Sequence, residues 1–404
     1  MSEYDGSSAN ADMHRVGRTL NKVCVCYVIR SLGVGGSEQQ LVQLLRSLDP
    51  DRFELHLVTL YPSVFDSGSL SDHRVTVHCI GKKGRWDLVS SMHRLRSIIR
   101  SINPQIIHSM LSVPNVLCAL LTLCGVRSKV VWGLRNADMP NHLYGIVEQL
   151  VWLVERLLAA IPDVIVANSE RGREWAVSKR GFPASKLRVI PNGIDARRYA
   201  FSPASRQTMR RAWGLKDSDF AIGIVGRLDV VKGHRHFLRM SAAVRSRIPG
   251  VHFIIVGEQR EPLTSELKRY GGELGIEDLL CWMPHTDCLA AVYSGFDMLC
   301  LCSLSEGFPN VVAEGCAAGL RVAGFDVGDA RLIAGAESAF VRVGDVEALS
   351  DAVVRLYRQY GQHRVEGGDE DIAGRFGLGR MVEAHEALYE GLANYMPVRG
   401  SINE

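Results

Sequence analysis

Residues 22–48 read KVCVCYVIRSLGVGGSEQQLVQLLRSL and contain one complete structural unit. The opening run, KVCVCYVIR, is apolar and is typical of a buried strand. A loop with three glycines follows, and apolar residues then recur at positions 41, 44, 45 and 48, which is the spacing of an amphipathic helix. A strand, a glycine loop and a helix in this order predict a βα unit of a parallel α/β sheet.

The same alternation of strand and helix recurs along the rest of the chain. In the first half the other strand-like segments are FELHLVTLY, VTVHCI, PQIIHSM, KVVWGLR and DVIVANS. A second series begins at FAIGIVGR and continues through VHFIIVGE, DLLCWMPH, MLCLCS and RVAGFD. Parallel strands joined by helices form doubly wound sheets, so the sequence predicts an α/β fold of two Rossmann-like domains. We expect ligands to bind in the cleft between the two domains.

The 404 residues are enough for two full-sized hydrophobic cores. The pattern predicts a flexible tail at residues 1–20 and a first domain at residues 21–195. A segment rich in turn residues, 196–215, is predicted as a linker, and residues 216–375 as the second domain. A C-terminal helical segment occupies residues 376–404.

Composition and hydropathy argue against several classes of protein. The formal net charge of +3 is too small to indicate a nucleic-acid partner. The first twenty residues are polar, unlike a secretory signal. The longest uncharged apolar run, residues 111–125, is shorter than the roughly 20 residues that a membrane-spanning helix needs. We therefore expect a cytoplasmic protein.

The ten cysteines raise the question of a metal site. Cys24 and Cys26 lie in one strand-like run, and Cys300 and Cys302 lie in another. Cysteines two apart in a strand share a face, which is compatible with a zinc site built from two pairs. Buried free thiols are the interpretation that the apolar surroundings favour.

The segment LSEGFPNVVAEG, residues 304–315, carries two glutamates at the predicted end of a strand and the start of a helix. Pro309 suits a first helical position, and Gly307 permits a close backbone approach. The free N–H groups of the first helical turn favour an anion or hydroxyl oxygens. Glu306 and Glu314 can then accept hydrogen bonds from two parts of a polyhydroxylated ligand. The alternative is a strand, turn and helix with two solvated glutamates.

The loop in IVGRLDVVKGH, residues 224–234, places Arg227 and Lys232 five residues apart between two glycines. A planar guanidinium and a mobile ammonium on one loop can converge on a diphosphate. A charged loop exposed to solvent is the alternative interpretation.

The glycine loop GVGGSE, residues 33–38, can present backbone amides to a phosphate or a sugar. It lacks the third glycine of a dinucleotide-binding fingerprint and the spacing of a Walker phosphate loop, which argues against hydride transfer. The three sites together fit a nucleoside diphosphate that bears a sugar.

Through GVGGSEQQL, VIPNGID, VGRLDVVKG and SEGFPNVVAEGCAAG, the sequence resembles glycosyltransferase family 4, a retaining family with the GT-B fold. It is similar to the bacterial members that build polysaccharides. The resemblance implies that Arg227, Lys232 and Glu306 are catalytic, with the two cations on the donor diphosphate. The donor-binding residues that it implies are Gly35, Gly36, Gly307, Phe308, Pro309, Asn310, Val311 and Glu314. It implies no metal and no cofactor, and a last helix that crosses back to the first domain.

Two further residues are candidates for contact with the acceptor. His108 retains the first histidine of a His-x-His pattern common in the family, whereas Met110 replaces the second. Arg135 lies in VVWGLRNAD, which resembles polysaccharide-building members, and Asp329 lies in a second such segment with an expected role in shaping the pocket. An equal alternative for His108 is a position in the hydrophobic core. An equal alternative for Arg135 is a solvent-exposed position in a loop.

The resemblance implies transfer of a hexose or N-acetylhexosamine from a nucleotide sugar to a saccharide acceptor, expected to be lipid-linked, at the cytosolic face of a membrane. Alternatives on the same fold are a sugar-nucleotide epimerase or hydrolase and a non-catalytic binding protein. Residues 143–161 and 111–123 are apolar enough to touch lipid, although the pattern favours two core helices.

Overall fold

The computed structural model describes residues 22–33, 35–62, 70, 74–84, 87–135 and 145–394. The predicted tail at residues 1–20 lies outside these ranges. Within them, the strands form two separate sheets, one in each half of the chain. Each observed strand pair is parallel.

The first sheet has the strand order β3-β2-β1-β4-β5-β6-β7. Its strands are β1 Val23–Ile29, β2 Phe53–Thr59, β3 Val75–Cys79, β4 Ile106–Met110, β5 Lys129–Leu134, β6 Val164–Ala167 and β7 Leu187–Val189. The helices of this half are Gly36–Ser47, Val89–Ile102, Ser112–Leu123, Ile146–Leu158 and Glu170–Ser178. The strand order reverses between β1 and β4, which is the point where doubly wound sheets bind ligands.

The second sheet has the order β10-β9-β8-β11-β12-β13 and reverses between β8 and β11. Its strands are β8 Phe220–Val225, β9 Val251–Val256, β10 Leu280–Met283, β11 Met298–Leu301, β12 Arg321–Phe325 and β13 Ala339–Val341. Its helices after β8 are His234–Val244, Leu263–Glu273, Leu289–Gly295, Asn310–Ala317, Ala330–Ala334, Val346–Tyr360 and Gly368–Phe376. Two parallel sheets covered by helices confirm the predicted GT-B architecture.

The inner strands of the first sheet, β1, β2, β4, β5 and β6, contribute to a core on both faces, because successive side chains point to opposite sides. Tyr27 belongs to a core on one face, and its neighbour Cys26 belongs to the core on the other face, with Trp132. This two-sided burial explains why KVCVCYVIR is apolar throughout instead of alternating.

The segment predicted as a linker, residues 196–215, is helical and belongs to the second domain. It contains the helices Ala196–Tyr199 and Pro203–Ala212. Ser202 caps the second of these helices by accepting a hydrogen bond from the backbone of the first turn, and Pro203 occupies a first-turn position that lacks a hydrogen-bond partner in any helix. Part of the turn-rich composition therefore reflects the start of a helix.

The last helix, Leu378–Asn394, lies against β1, β4 and helix Gly36–Ser47 of the first domain. Its Tyr389 is fully buried in the first-domain core, where its hydroxyl lies 2.6 Å from the Tyr27 hydroxyl and 2.7 Å from His108 Nδ1. Just before this helix, Ile194 and Gly377 form an isolated parallel bridge. The two segments that connect the domains are thus hydrogen-bonded side by side.

The ten cysteines all lie in the described ranges, and none of them forms a disulfide bond. Cys24 and Cys26 belong to the first sheet, whereas Cys300 and Cys302 belong to the second. The zinc site built from these two pairs is therefore wrong, because the pairs lie in different domains. Among the described residues, we find no helix with both the length and the apolar character needed to cross a bilayer.

We expect Tyr389→Phe to lower the free energy of unfolding by about 1–3 kcal/mol, because it leaves the buried Tyr27 hydroxyl and His108 without this partner. The urea midpoint followed by circular dichroism measures the change. Tyr270→Phe removes a hydroxyl from a half-buried ring in the second domain and serves as the matched control. Equal midpoints for the two variants would contradict the expectation.

Candidate functional site

A cleft of about 410 Å³ opens where the strands of both sheets end. Its walls come from the loops after β1, β5 and β6 on one side and after β8, β9 and β11 on the other. The predicted site residues that line it are Gly35, Gly36, Arg135, Arg227, Lys232, Glu306, Phe308, Pro309, Asn310, Val311 and Glu314. Gly307 and His108 lie outside the lining.

The loop after β8 is held in shape by a short turn. Asp229 accepts a hydrogen bond from the backbone of the 3-10 turn Val230–Lys232. Gly233 then adopts a left-handed conformation, with φ of 68°, and begins the next helix. A Cβ atom on Gly233 would lie only 2.0 Å from the carbonyl oxygen of Cys302, so glycine is required there. This turn fixes the backbone position of Lys232, from which its side chain extends.

Lys232 and Glu306 form an ion pair across two loops, with Nζ 2.5 Å from Oε1. Both side chains are partly exposed at the cleft, so the pair contributes little to stability and mainly orients the ammonium. A lysine ammonium has three donors, and two remain for a ligand. Arg227 has no ion-pair partner among the described residues. The loop therefore presents two cationic groups to the same cleft.

Glu306 is followed by helix Asn310–Ala317, whose N-terminus faces the cleft. Pro309 is the residue just before the helix, one position earlier than the sequence predicts. No side chain caps this N-terminus among the described residues, so its first N–H groups are available to a ligand.

Glu314 lies on the second turn of that helix and is nearly fully buried. The hydroxyl of Tyr293 donates a hydrogen bond of 2.7 Å to its Oε2. Burial raises the pKa of Glu314, and hydrogen bonds from Tyr293 and Tyr199 offset part of that rise. A buried carboxylate that lines the cleft is a strong acceptor for hydroxyl groups of a ligand.

A chain of hydrogen bonds crosses the cleft from the first domain to the second. Arg135 Nη1 donates to Asn192 Oδ1 at 2.9 Å, and Asn192 Nδ2 donates to Asn310 Oδ1 at 2.7 Å. Arg135 is buried, and burial lowers the pKa of its guanidinium to about 10. Its Nε atom and the nearby Asn168 Oδ1 have no partner among the described residues. Both residues line the cleft.

His108 lies in the core and not in the cleft. It is fully buried in β4, and its ring stacks on Tyr27 with centroids 5.3 Å apart. Burial lowers the pKa of His108 well below its usual value. Met110 is also fully buried in the same core. The core interpretation of His108 fits this position, whereas direct contact with an acceptor does not.

Asp329 connects the two domains. Its carboxylate accepts hydrogen bonds from the backbone N–H groups of Glu170 and Arg171, at 2.8 and 3.1 Å. A residue of the second domain thus caps the helix Glu170–Ser178 of the first domain, where the helix dipole favours negative charge. Arg171 also lies 3.3 Å from Asp326. These contacts hold the two walls of the cleft together.

Sequence reasoning missed several residues that line the cleft. They are Arg30, Asn168, Asn192, Val225, Gly226, Gly257, Glu258 and His285. Arg30 and Glu258 follow β1 and β9 closely, so the rule that ligands bind beyond the carboxyl ends of parallel strands marks them. Asn192 lies inside the VIPNGID segment, which contributes to the family resemblance but does not by itself indicate which of its residues reaches the cleft.

Comparison with known families agrees with this site. Residues 34–198 match the family model described as Glycosyltransferase Family 4, and residues 219–359 match the model described as Glycosyl transferases group 1. The chain belongs to glycosyltransferase family 4. It is therefore a glycosyltransferase of the GT-B type, and its two matched regions correspond to the two sheets.

Named relatives are distant. A Bacillus subtilis protein named "Putative glycosyltransferase EpsF" is 23% identical over 302 residues, which cover 73% of this chain and 77% of that protein. The D-inositol 3-phosphate glycosyltransferase of Nocardia farcinica is 29% identical over 242 residues. That alignment covers 57% of this chain and only half the length of the relative.

Solved structures share the fold over nearly the whole chain. The Anabaena protein Alr3699/HepE in complex with UDP and glucose has a TM-score of 0.79 at 19% identity and covers 91% of this chain and 99% of its own. WaaG, a glycosyltransferase of lipopolysaccharide biosynthesis, has a TM-score of 0.71 at 13% identity, with coverage of 91% and 100%. At such identities the likeness shows the fold alone.

We expect Glu314→Gln to raise the free energy of unfolding at about pH 8. Burial raises the pKa of the Glu314 carboxyl, so its negative charge is unfavourable in the folded state, and the variant removes that charge. The stability that this carboxyl contributes is present below its unfolded pKa and is lost as pH rises through its folded pKa. The difference in the free energy of unfolding between the variant and the wild type should therefore decrease towards about pH 4.

Urea midpoints at both pH values measure this difference. Glu383→Gln, on an exposed position of the last helix, is the control and should change neither midpoint. An advantage that grows as the pH falls would contradict the assignment.

Proposed function

We propose that the protein is a retaining glycosyltransferase that moves a hexose or N-acetylhexosamine from a nucleotide diphosphate sugar to a saccharide acceptor. The observation that carries this proposal is the convergence of Arg227, Lys232, Glu306 and the N-terminus of helix Asn310–Ala317 on one cleft. The solved structures of Anabaena Alr3699/HepE contain UDP or UDP-glucose, which supports a donor of this class.

Arg227 and Lys232 bind the diphosphate of the donor. When the anomeric C–O bond breaks, negative charge grows on the leaving phosphate, and two preorganised cations stabilise it where it develops. The first N–H groups of helix Asn310–Ala317 add a further positive region. These groups supply the charge neutralisation that a metal ion supplies in other transferases, so the reaction needs no metal and no cofactor.

Glu306 and Glu314 bind the two ends of the donor. Glu314, buried beside Tyr293, accepts hydrogen bonds from the ribose hydroxyls. Glu306, with the backbone of residues 307–310, contacts the sugar that is transferred. Its ion pair with Lys232 couples the sugar end of the site to the diphosphate end.

Retention follows from attack on the same face that the diphosphate leaves. The acceptor hydroxyl forms the new bond to the anomeric carbon as the old C–O bond breaks, and its proton passes to an oxygen of the departing phosphate. Glu306 as a covalent nucleophile is the competing mechanism. Its carboxylate is held by Lys232 at 2.5 Å, which lowers its nucleophilicity and favours the first mechanism.

The acceptor binds against the wall of the first domain, near Arg30 and Arg135. Arg135 lacks a carboxylate partner among the described residues, and its Nε atom is unpaired. A buried cation without a counter-ion favours an acceptor that carries negative charge. The phosphate of a lipid-linked saccharide has this chemistry, which supports a role in building cell-surface polysaccharides.

The helix Ile146–Leu158 has an apolar face that the described part of the protein leaves uncovered. The exposed fractions are 78% for Ile146, 55% for Leu150, 50% for Leu153 and 73% for Leu157. The sequence favours a core helix here, and this is wrong, since only Glu155 of this helix is buried. An outward apolar face on an amphipathic helix is typical of proteins that rest on a membrane surface. We propose that it binds the cytosolic face of a membrane that holds the acceptor.

The alternatives make different predictions for turnover. A hydrolase or epimerase turns over the donor without an acceptor, and a non-catalytic binding protein does not turn it over at all. Purified protein with a panel of nucleotide sugars, with and without lipid-linked saccharides, separates these cases when nucleotide release is measured. The proposal fails if no sugar nucleotide binds, or if release does not depend on an acceptor.

We expect Lys232→Met and Arg227→Met each to lower kcat for nucleotide release by about 100- to 1,000-fold, because each removes one cation from the leaving diphosphate. Arg239→Met removes an exposed cation from the helix that follows the loop, and it should leave the rate unchanged. A wild-type rate in the Lys232 variant would contradict the proposal that Lys232 stabilises the negative charge on the leaving diphosphate.

We expect the double variant Leu150→Ser, Leu157→Ser to bind anionic phospholipid vesicles at least about tenfold more weakly, since each leucine contributes apolar area to the contact. Co-flotation with vesicles measures the bound fraction. Leu332→Ser removes a similarly exposed leucine from the second domain and should bind like the wild type. Equal loss in both variants would show that the helix is not the docking surface.

A further inference from the structure

Three side chains of the kinds that bind metals in proteins, a cysteine, a glutamate and a histidine, lie together on the first sheet. They lie at the end of the sheet that is remote from the cleft. Cys24 and Glu54 are direct partners in the register of β1 and β2, and His56 follows Glu54 by two residues. Side chains two apart in a strand share a face, so all three project from the same side of the sheet. One ligand atom from each residue lies within 4.8 Å of the other two.

The histidine of this cluster is already oriented by its neighbours. Its Nε2 atom lies 3.1 Å from Glu54 Oε1, and its Nδ1 atom lies 3.3 Å from Nε2 of His78 on β3. The two imidazole rings stack with centroids 5.6 Å apart. Histidines that bind metals usually donate their second N–H to an acceptor, which fixes the tautomer and the ring orientation. His78 is placed to be that acceptor.

We propose that Cys24, Glu54 and His56 form a zinc site, with His78 positioning His56. Thiolate, imidazole and carboxylate are the three ligand types that zinc takes in proteins, whereas calcium and magnesium favour oxygen ligands. A tetrahedral zinc ion with bonds of about 2.0–2.3 Å holds its ligand atoms about 3.3–3.8 Å apart. Small side-chain rotations bring the three atoms to this spacing.

The burial of the cluster suits a site that loads from solvent. Cys24 is half-buried and the His56 side chain is 12% exposed, whereas the Glu54 side chain is 59% exposed and free to turn inwards. A fourth position faces solvent and takes water. Binding forms a Zn–S bond and releases the thiol proton of Cys24 to solvent.

The zinc site would be separate from the site of sugar transfer. It joins β1 to β2 and, through His78, contacts the edge strand β3. It lies near the amino ends of the strands, whereas the transferase cleft lies beyond their carboxyl ends. Its test is therefore independent of the proposed transferase activity.

Metal-stripped full-length protein titrated with Zn²⁺ in a calorimeter tests the stoichiometry, and Co²⁺ serves as a spectroscopic probe for thiolate ligation. We expect one equivalent of Zn²⁺ to bind and Co²⁺ to produce a thiolate charge-transfer band in the near ultraviolet. Zn²⁺ should also raise the unfolding temperature, because it binds the folded state. Absence of saturable binding at one equivalent overturns the proposal.

Variants then identify the ligands. Cys24→Ser should abolish the thiolate band, and His78→Phe should keep the band but weaken Zn²⁺ binding about 10- to 100-fold. Cys79→Ser, which removes an exposed thiol at the end of β3, is the matched control and should keep both properties. A thiolate band that persists in Cys24→Ser overturns the assignment. Circular dichroism checks the fold of each variant, and the wild-type Co²⁺ spectrum tests thiolate ligation without any substitution.

Discussion

Parallel strand pairing forces the loop after every strand to leave from the same edge of its sheet. Arg30 follows β1, Arg227 follows β8, Glu258 follows β9 and Glu306 follows β11, so residues distant in sequence reach one cleft. The chemistry of the site depends on this constraint more than on any single contact. The requirement for glycine at Gly233, whose Cβ would meet Cys302, is part of the same close packing between neighbouring loops.

The cleft contains buried polar groups that lower stability unless a ligand binds. Glu314 is a carboxylate whose pKa burial raises, and Arg135 is a guanidinium whose pKa burial lowers. In both cases the charged form is disfavoured by loss of solvent. Such unfavourable groups concentrate at functional sites, where hydrogen bonds or an opposite charge supplied by a ligand stabilise them. The contact of Asp329 with the helix Glu170–Ser178 joins the two walls of the cleft beside these groups.

The sequence predicts much of this arrangement because the relevant signals are local. Alternating strands and helices indicate both sheets, and the two short motifs around Arg227 and Glu306 indicate the donor side of the cleft. These local signals do not predict features that depend on how the elements pack against one another. The amphipathic pattern of helix Ile146–Leu158 indicates one apolar face but does not specify what covers it. Turn residues at 196–215 suggest a linker, yet capping by Ser202 starts a helix.

The parallel bridge between Ile194 and Gly377 holds together the two segments along which the chain passes from one domain to the other. Any movement of one domain against the other must therefore be accommodated at this hydrogen-bonded pair of segments. The same connectivity governs biosynthesis. The part of the first-domain core around Tyr27 emerges from the ribosome long before Tyr389, so this core stays incomplete until the last helix has been made.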